Sequence, residues 1–215
     1  MRPDCQMRPV PRRFYQRDAS LVAPDLLNKV LVAGSRAGRI VEVEAYRGRD
    51  DPGSHAYRGQ TRRNATMFGP PGHLYVYFSY GVHWCANAVC ERAGIPHAVL
   101  LRAIAPVSGT EEMRAARSRG QKHPLADRDL GRGPGRLCQA LGLAREHDGA
   151  DLVTGDRGVW IMDDGRRPPA RPGVGTRVGL SAGADHPWRY WVPDDPHVSG
   201  PLRRARPESP PAANG

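Results

Sequence analysis

The sequence predicts an α+β protein: a single mixed domain around a mostly antiparallel β-sheet with flanking helices. Three observations lead there. At 215 residues the chain has the length of one domain. Segments with strand character outnumber segments with helical character. Neighbouring strand segments also lie close together in sequence, as antiparallel connections allow.

Residues 1–12 are rich in Arg and Pro without periodicity and read as a flexible basic arm. The folded domain is expected over 13–200. Residues 201–215 (PLRRARPESPPAANG) carry too few apolar groups to offset their ordering entropy and read as a disordered tail. Asp18 or Ser20 can cap a short helix running through Leu27. Residues 30–33 and 38–46 read as two strands joined by the Gly34–Gly38 turn. Residues 74–80, 84–90 and 97–104 read as three more. Ser108 and Glu111 form a capping-box pattern ahead of a helix near 110–119. A second helix, about 136–141, comes after Gly133-Pro134-Gly135 and stops at Gly142. Shorter strands are expected near 158–162, 176–180 and 188–192. No internal repeat is visible.

Composition narrows the class. No apolar run approaches the roughly 20 residues of a membrane helix. The first thirty residues carry five arginines and no apolar h-region, so a secretory signal is not expected. Four cysteines in a chain this long are no disulfide framework. There are 32 basic and 22 acidic residues, a net charge of +10. All the basic residues but Lys29 and Lys122 are arginine. A GC-rich coding sequence accounts for such a bias. So does phosphate binding, because the guanidinium fork grips phosphate oxygens bidentately. The charge favours a polyanionic partner.

The aromatic residues are few but clustered. Of 14, eight fall between 44 and 84: Tyr46, Tyr57, Phe68, Tyr75, Tyr77, Phe78, Tyr80 and Trp84. Tyrosines this dense suit a cavity lined with flat faces and hydroxyls, although a tyrosine-rich strand pair in an ordinary sheet would look the same. Strand parity sets Ile40, Glu42, Glu44 and Tyr46 on one face, opposite Val41, Val43 and Ala45. It groups Tyr75 with Tyr77 and Ser79, and places Tyr80 at a bend before Gly81. His55 sits in a Gly- and Asp-rich loop. Asn87 and Arg102, on neighbouring strands, are candidate buried polar groups, and a buried Arg102 needs a carboxylate or a ligand. Cys85 and Cys90 face opposite ways and are poorly placed to share a metal, and neither a zinc-protease pair nor a phosphate loop occurs. The 114–136 stretch carries Arg114, Arg117, Arg119, Lys122, Arg128, Arg132 and Arg136. It is either a phosphate track or a solvated basic surface.

The stretch GRIVEVEAYRGRDDPGSHAYRGQTRRNATMFGPPGHLYVYFSYGVHWCANAVC (38–90) resembles the signature of the alkyladenine (3-methyladenine) DNA glycosylase family. The similarity extends to Phe14–Asp18, AVLLRA (98–103), GPGRLCQALGL (133–143), TRVGL (176–180) and PWRYWV (187–192), covering about 14–199. The resemblance implies a glycosylase that flips alkylated or deaminated purines (3-methyladenine, hypoxanthine, ethenoadenine) out of double-stranded DNA, and with only Lys29 and Lys122 as lysines to form a Schiff base it is expected to be monofunctional. It implies Glu44 as general base for a water and Arg102 beside that water. Tyr46, His55 and Tyr77 match the pocket walls, Asn87 the asparagine that crowds guanine, Tyr75 a tyrosine near the histidine, and Tyr80 the intercalating wedge. Contacts to the DNA backbone are expected from Arg58, Arg62, Arg63, Gly133, Gly135 and Arg136. Where the family often has Gly and an acid, this chain has Asn28 and Ala105. No metal or organic cofactor is implied. The expected state is a monomer, cytoplasmic and nucleoid-associated in a prokaryote and nuclear otherwise. Two alternatives stay open: a non-catalytic damaged-DNA-binding module of the same fold, and a helix-hairpin-helix glycosylase hinted at by residues 130–135 with Asp148.

Overall fold

A computed structural model describes residues 7–118 and 125–200. Its centre is β3 (Arg36–Tyr46), an 11-residue strand, paired antiparallel along one edge with β6 (His97–Ser108). Along its other edge β3 pairs first with β2 (Val30–Ala33) and then with β9 (Arg189–Trp191). The sheet continues from β6 to β5 (His83–Cys90) and β4 (Leu74–Ser79), and from β2 to β7 (Val159–Asp163) and β1 (Arg8–Pro9). A short β8 (Gly173–Gly175) pairs with β9. Every pairing is antiparallel, which gives the α+β class predicted from the sequence. This sheet rules out the helix-hairpin-helix architecture. Asp148, its second cue, is a fold anchor: it accepts the Val76 N–H (3.0 Å) and the Thr66 hydroxyl (3.1 Å).

One face of the sheet is closed by helices α2 (Ala19–Leu26) and α5 (Pro134–Leu141). Val22, Leu26, Leu137 and Leu141 pack there with Ile40, Val43, Val99, Leu101 and Ile104. Asp18 caps α2 through the Ser20 N–H (2.8 Å). Gly142 ends α5 in the left-handed conformation, φ 72°. Shorter helices α1 (Arg12–Tyr15), α3 (Thr110–Ser118) and α4 (Asp127–Leu130) complete the helical set.

Several boundaries differ from expectation. Ser108 does not cap α3: it pairs with Ala37, because β3 starts two residues early and draws β6 out to meet it. Helix α5 begins at Pro134, whose missing N–H suits a first helical position. Residues 176–180 form no strand, since Arg177 is engaged by Asp51 and the Val178 N–H by Glu44; the local ladder forms at Gly173–Gly175. Within the stretch expected to be a loose arm, Arg8 and Pro9 pair with Asp163 and Met162, and Val10 is buried. Residues 1–6, the 201–215 tail, Arg119 and Lys122 lie outside the described residues.

Two compensating irregularities decide which side chains share a face. The register of β3 against β6 shifts around Val41 and Arg102, so Ile40 pairs with Ile104, Glu42 with Ala103, and Val43 with Leu101. Strict alternation fails at these bulges. Ile40 therefore faces the helical core with Val43 and Ala45, and does not share the face of Glu42 and Glu44. Val41 and Ala103 join Trp191 and Val198 in a small separate cluster on the opposite side. Glu42 and Arg102 keep to the side of Glu44 as alternation expects, and the bulges turn Val41 and Ala103 to that side next to them.

Candidate active site

On that side lies a cavity of about 510 Å³, within the range of small-ligand sites. Tyr46, His55, Tyr75, Tyr77, Asn87 and Arg102 line it, as do Arg63, Met67, Cys85 and Leu100. Tyr80 and Gly81 stand at its mouth. The ring of Tyr77 stacks on Tyr75 at 5.3 Å and meets His55 edge-on at 4.4 Å. The His55 Nδ1 lies 3.3 Å from the Tyr75 hydroxyl. Asn87 is buried and donates to the Tyr75 carbonyl (3.2 Å). Burial pushes the Tyr75 phenol up to about 12 and the Tyr77 phenol higher still, so both keep their protons at neutral pH. Burial, helped by the Arg63 charge, lowers the His55 pKa and favours a neutral imidazole.

Beside these walls, Glu44 is fully buried. Its Oε2 accepts the Tyr46 hydroxyl (2.9 Å), and its Oε1 accepts the Val178 N–H (2.8 Å) and faces Arg102 Nη1 at 3.2 Å. Tyr46 is raised well above its ordinary pKa by burial and by the Glu44 charge, so it remains a hydrogen-bond donor to the carboxylate. Burial works against the Arg102 charge, but Glu44 and Glu42 outweigh it and leave the guanidinium more firmly protonated.

Four groups that the sequence reading did not assign to the site hold this arrangement. Glu42, also fully buried, accepts from Arg102 Nε (2.7 Å), Arg189 Nε (2.8 Å) and the Ser199 N–H (2.6 Å). An acid at the Ala105 position is thus not needed to support Arg102. Arg177 lies behind Tyr46, 4.6 Å from its ring centroid and 5.0 Å from that of Trp188. It grips both Asp51 oxygens, one at 2.7 Å, and donates to the Ala45 carbonyl. Burial would raise the Asp51 pKa, yet Arg177 and the Arg47 and Gly53 N–H groups hold it below the usual carboxylate range. The missed signal for Glu42 was its parity with Glu44. For Arg177, Arg189 and Asp51 no local pattern pointed to the site.

The positions expected to meet DNA fall into two groups. Tyr80 is 88% exposed at the β4–β5 turn, where it takes φ 50° and Gly81 φ 67°. Arg58 and Arg62 are exposed, with no ion pair among the described residues. Arg63 does not stand free: it bonds the Phe78 carbonyl (2.9 Å) and lies over Tyr77. Gly133, Gly135 and Arg136 lie at the start of α5, along an adjoining groove shared with Phe78, Val82 and Trp84. Of the described arginines in the 114–136 stretch, only Arg136 is exposed and unpaired. Arg114 bonds Asp127, Arg117 is buried on the Leu130 carbonyl and Gln139, Arg128 faces Asp129, and Arg132 bonds the Val198 carbonyl. A continuous phosphate track over 114–136 is therefore not what these arginines form. Asn28, at φ 69°, takes the left-handed turn where glycine is the usual choice.

Among the described residues no helix is long and apolar enough to cross a membrane, and no cluster of three or more His, Cys, Asp or Glu side chains could hold a metal. A family model described as "Methylpurine-DNA glycosylase (MPG)" matches residues 13–196. The chain is 56% identical over 196 residues to a Burkholderia lata protein named "Putative 3-methyladenine DNA glycosylase", covering 91% of this chain and 93% of that protein. Proteins of the same name from Streptomyces avermitilis and Koribacter versatilis are 46% and 43% identical. These cover 89% and 91% of this chain, and 91% and 95% of theirs. With matches of this extent laid over a strand-built cavity that joins a buried carboxylate to tyrosine walls, the chain belongs to the methylpurine-DNA glycosylase family and is a DNA glycosylase.

Proposed function

We propose that the enzyme is a monofunctional glycosylase for alkylated or deaminated purines, 3-methyladenine, hypoxanthine and ethenoadenine among them. It flips the damaged nucleotide out of duplex DNA and hydrolyses its N-glycosidic bond with a water activated by Glu44. The observation that carries this reading is the placement of a fully buried Glu44 beside a tyrosine-walled cavity large enough for a purine.

The target carbon, C1′, is unreachable inside a stacked helix, so the base must leave the stack at a cost of a few kcal/mol. Tyr80, exposed on a tight turn, is shaped to fill the gap. The flipped base would enter between Tyr46 and the Tyr77–His55 pair. An alkylated, positively charged purine gains about 0.5–2 kcal/mol on such electron-rich faces. Asn87 borders this space and is positioned to crowd a guanine 2-amino group. As the bond to the base breaks, positive charge develops at C1′ as in sugar hydrolysis. Glu44 lies where it can balance that charge and take a proton from water. Arg102 holds the carboxylate from one side and Tyr46 from the other.

Strand cleavage by a Schiff base needs an amine. Of the two lysines, Lys29 is buried, ion-paired with Asp163 at 2.8 Å and absent from the cavity lining, which argues against it as the Schiff-base amine, while Lys122 and the N-terminal amine lie outside the described residues. The DNA is double-stranded and the enzyme acts as a monomer, with the chromosome as its place of work.

Duplexes carrying hypoxanthine, 1,N6-ethenoadenine, 7-methylguanine or 3-methyladenine test the reading. The native enzyme should leave abasic sites that break only in hot alkali. Glu44→Gln should lose about 10²- to 10⁴-fold in release while still binding DNA. Binding without release from any lesion would favour a non-catalytic damage-recognition module. A borohydride-trapped covalent adduct would overturn monofunctional hydrolysis.

A further inference from the structure

Glu42 has no access to solvent, yet it collects three donors from three separate parts of the chain. Arg102 comes from β6, Arg189 from β9, and the Ser199 N–H from the segment after β9. Its carboxylate lies beside the Arg102 Nε, while the Nη1 of the same guanidinium faces Glu44. One arginine therefore bridges two buried carboxylates, and Glu42 is the one with the shorter contact.

Burying this much charge in the sheet demands a reason beyond stability, because buried ion pairs replaced whole by apolar groups are often no less stable. The geometry supplies one. A guanidinium beside a single buried carboxylate favours a bidentate grip on both oxygens. With Nε given to Glu42 and Nη2 to the Ser199 hydroxyl, Arg102 turns Nη1 toward Glu44. Ser199 strengthens the hold: its Oγ accepts from Arg102 Nη2 at 3.3 Å, and its carbonyl accepts from Arg189. Arg102 faces Glu44 Oε1, and Oε2 is left to the Tyr46 hydroxyl.

We propose that Glu42 is a positioning residue for base release. It orients Arg102, through Nε, so that Glu44 remains free to accept a proton from water. Arg189 and Ser199 complete the clamp. This rests on the reading of Glu44 as the base, and it concerns the rate of the chemical step rather than DNA affinity.

The test is single-turnover release from a hypoxanthine duplex, measured with equilibrium binding to the same duplex and a melting curve for each variant. Glu42→Gln keeps the shape but loses the charge and sets an amide against at least one N–H donor. Release should fall about 10- to 100-fold, as when a supporting partner of an active-site group is removed. The Kd should change less than about twofold, the same scale of support leaving the binding surface untouched. In an Arg102→Gln background, adding Glu42→Gln should cost nothing further, because the orienting target is gone. Wild-type release from a folded Glu42→Gln protein overturns the proposal. So does parallel loss of binding and rate, or an undiminished effect in the Arg102→Gln background. If Glu42→Gln does not fold, Ser199→Ala decides: it removes only the hydroxyl acceptor and should slow release several-fold at unchanged Kd, and a wild-type rate overturns the clamp. Full release by Glu44→Gln would instead sink the underlying reading, whatever Glu42→Gln does.

Discussion

The interior of the site and its rim are built on opposite principles. Around Glu44 every charged group is buried and held by several partners: Glu42 by three donors, Arg177 by Asp51 and two carbonyls. At the rim, Tyr80, Arg58, Arg62 and Arg136 are exposed and largely unpartnered among the described residues. The difference matches the roles proposed for each. Groups that balance charge at a fixed carbon work best when their orientation is set before the substrate arrives. Groups that grip phosphates or fill a gap in a base stack find their partners on the DNA.

That contrast can be broken from the inside first. The largest expected effect is the loss of base release in Glu44→Gln, whose size sets how much of the rate depends on the buried carboxylate. Next comes Arg177→Met. It strands Asp51 without its cation and removes the brace behind Tyr46, so stability to denaturant should fall by about 3–5 kcal/mol. A loss below about 1 kcal/mol, the scale of an exposed pair, would mean that the frame around Tyr46 is not ionic in origin.

The rim should respond in binding instead. Tyr80→Ala should weaken binding to a lesion duplex by about 1–3 kcal/mol, the scale of one stacked base on an aromatic ring, with the melting temperature unchanged. Unaltered lesion affinity would remove Tyr80 from the proposed wedge role. Arg136→Gln should lower the slope of log affinity against log salt by roughly 0.9, one phosphate contact. An unchanged slope would place Arg136 off the DNA path.

The smallest effect is in pH. Burial lowers the pKa of both His55 and His97 below the ordinary 6.5. The folded state thus binds fewer protons than the unfolded chain. The stability this represents is complete above pH 6.5 and is lost as pH falls through the folded-state values. Melting temperature should decline from about pH 7 toward about pH 5. His97→Gln should flatten the decline, and an unchanged slope in that variant would exclude His97 as a source.

The same division explains what was legible in the sequence. Glu44 and Tyr46 lie past the bulge on β3, and Tyr75 and Tyr77 on the regular β4, so the shared side of each pair could be read from parity. Ile40 could not, because a bulge is a relation between two strands and leaves no mark in either one. Glu42 and Ser199 are 157 residues apart, and Asp51 and Arg177 are 126 apart. No local pattern joins such pairs. The basic stretch at 114–136 could not be decided from the sequence for a related reason: its described arginines, Arg136 apart, are answered by acids, carbonyls and an amide that only the fold brings near. The family resemblance pointed to cavity positions one at a time, but it did not reveal the ionic scaffolding between them.

At Gly135 the absence of a side chain fixes a distance. A Cβ there would sit 2.5 Å from the His83 ring, so the start of α5 rests directly on the hairpin that bears Tyr80. The hairpin that carries Tyr80 and the first turn of that helix are thereby packed against each other with no helix side chain between them at that point. With the roles proposed above, Tyr80 and the start of α5 would meet a duplex as one rigid unit rather than as two independent contacts.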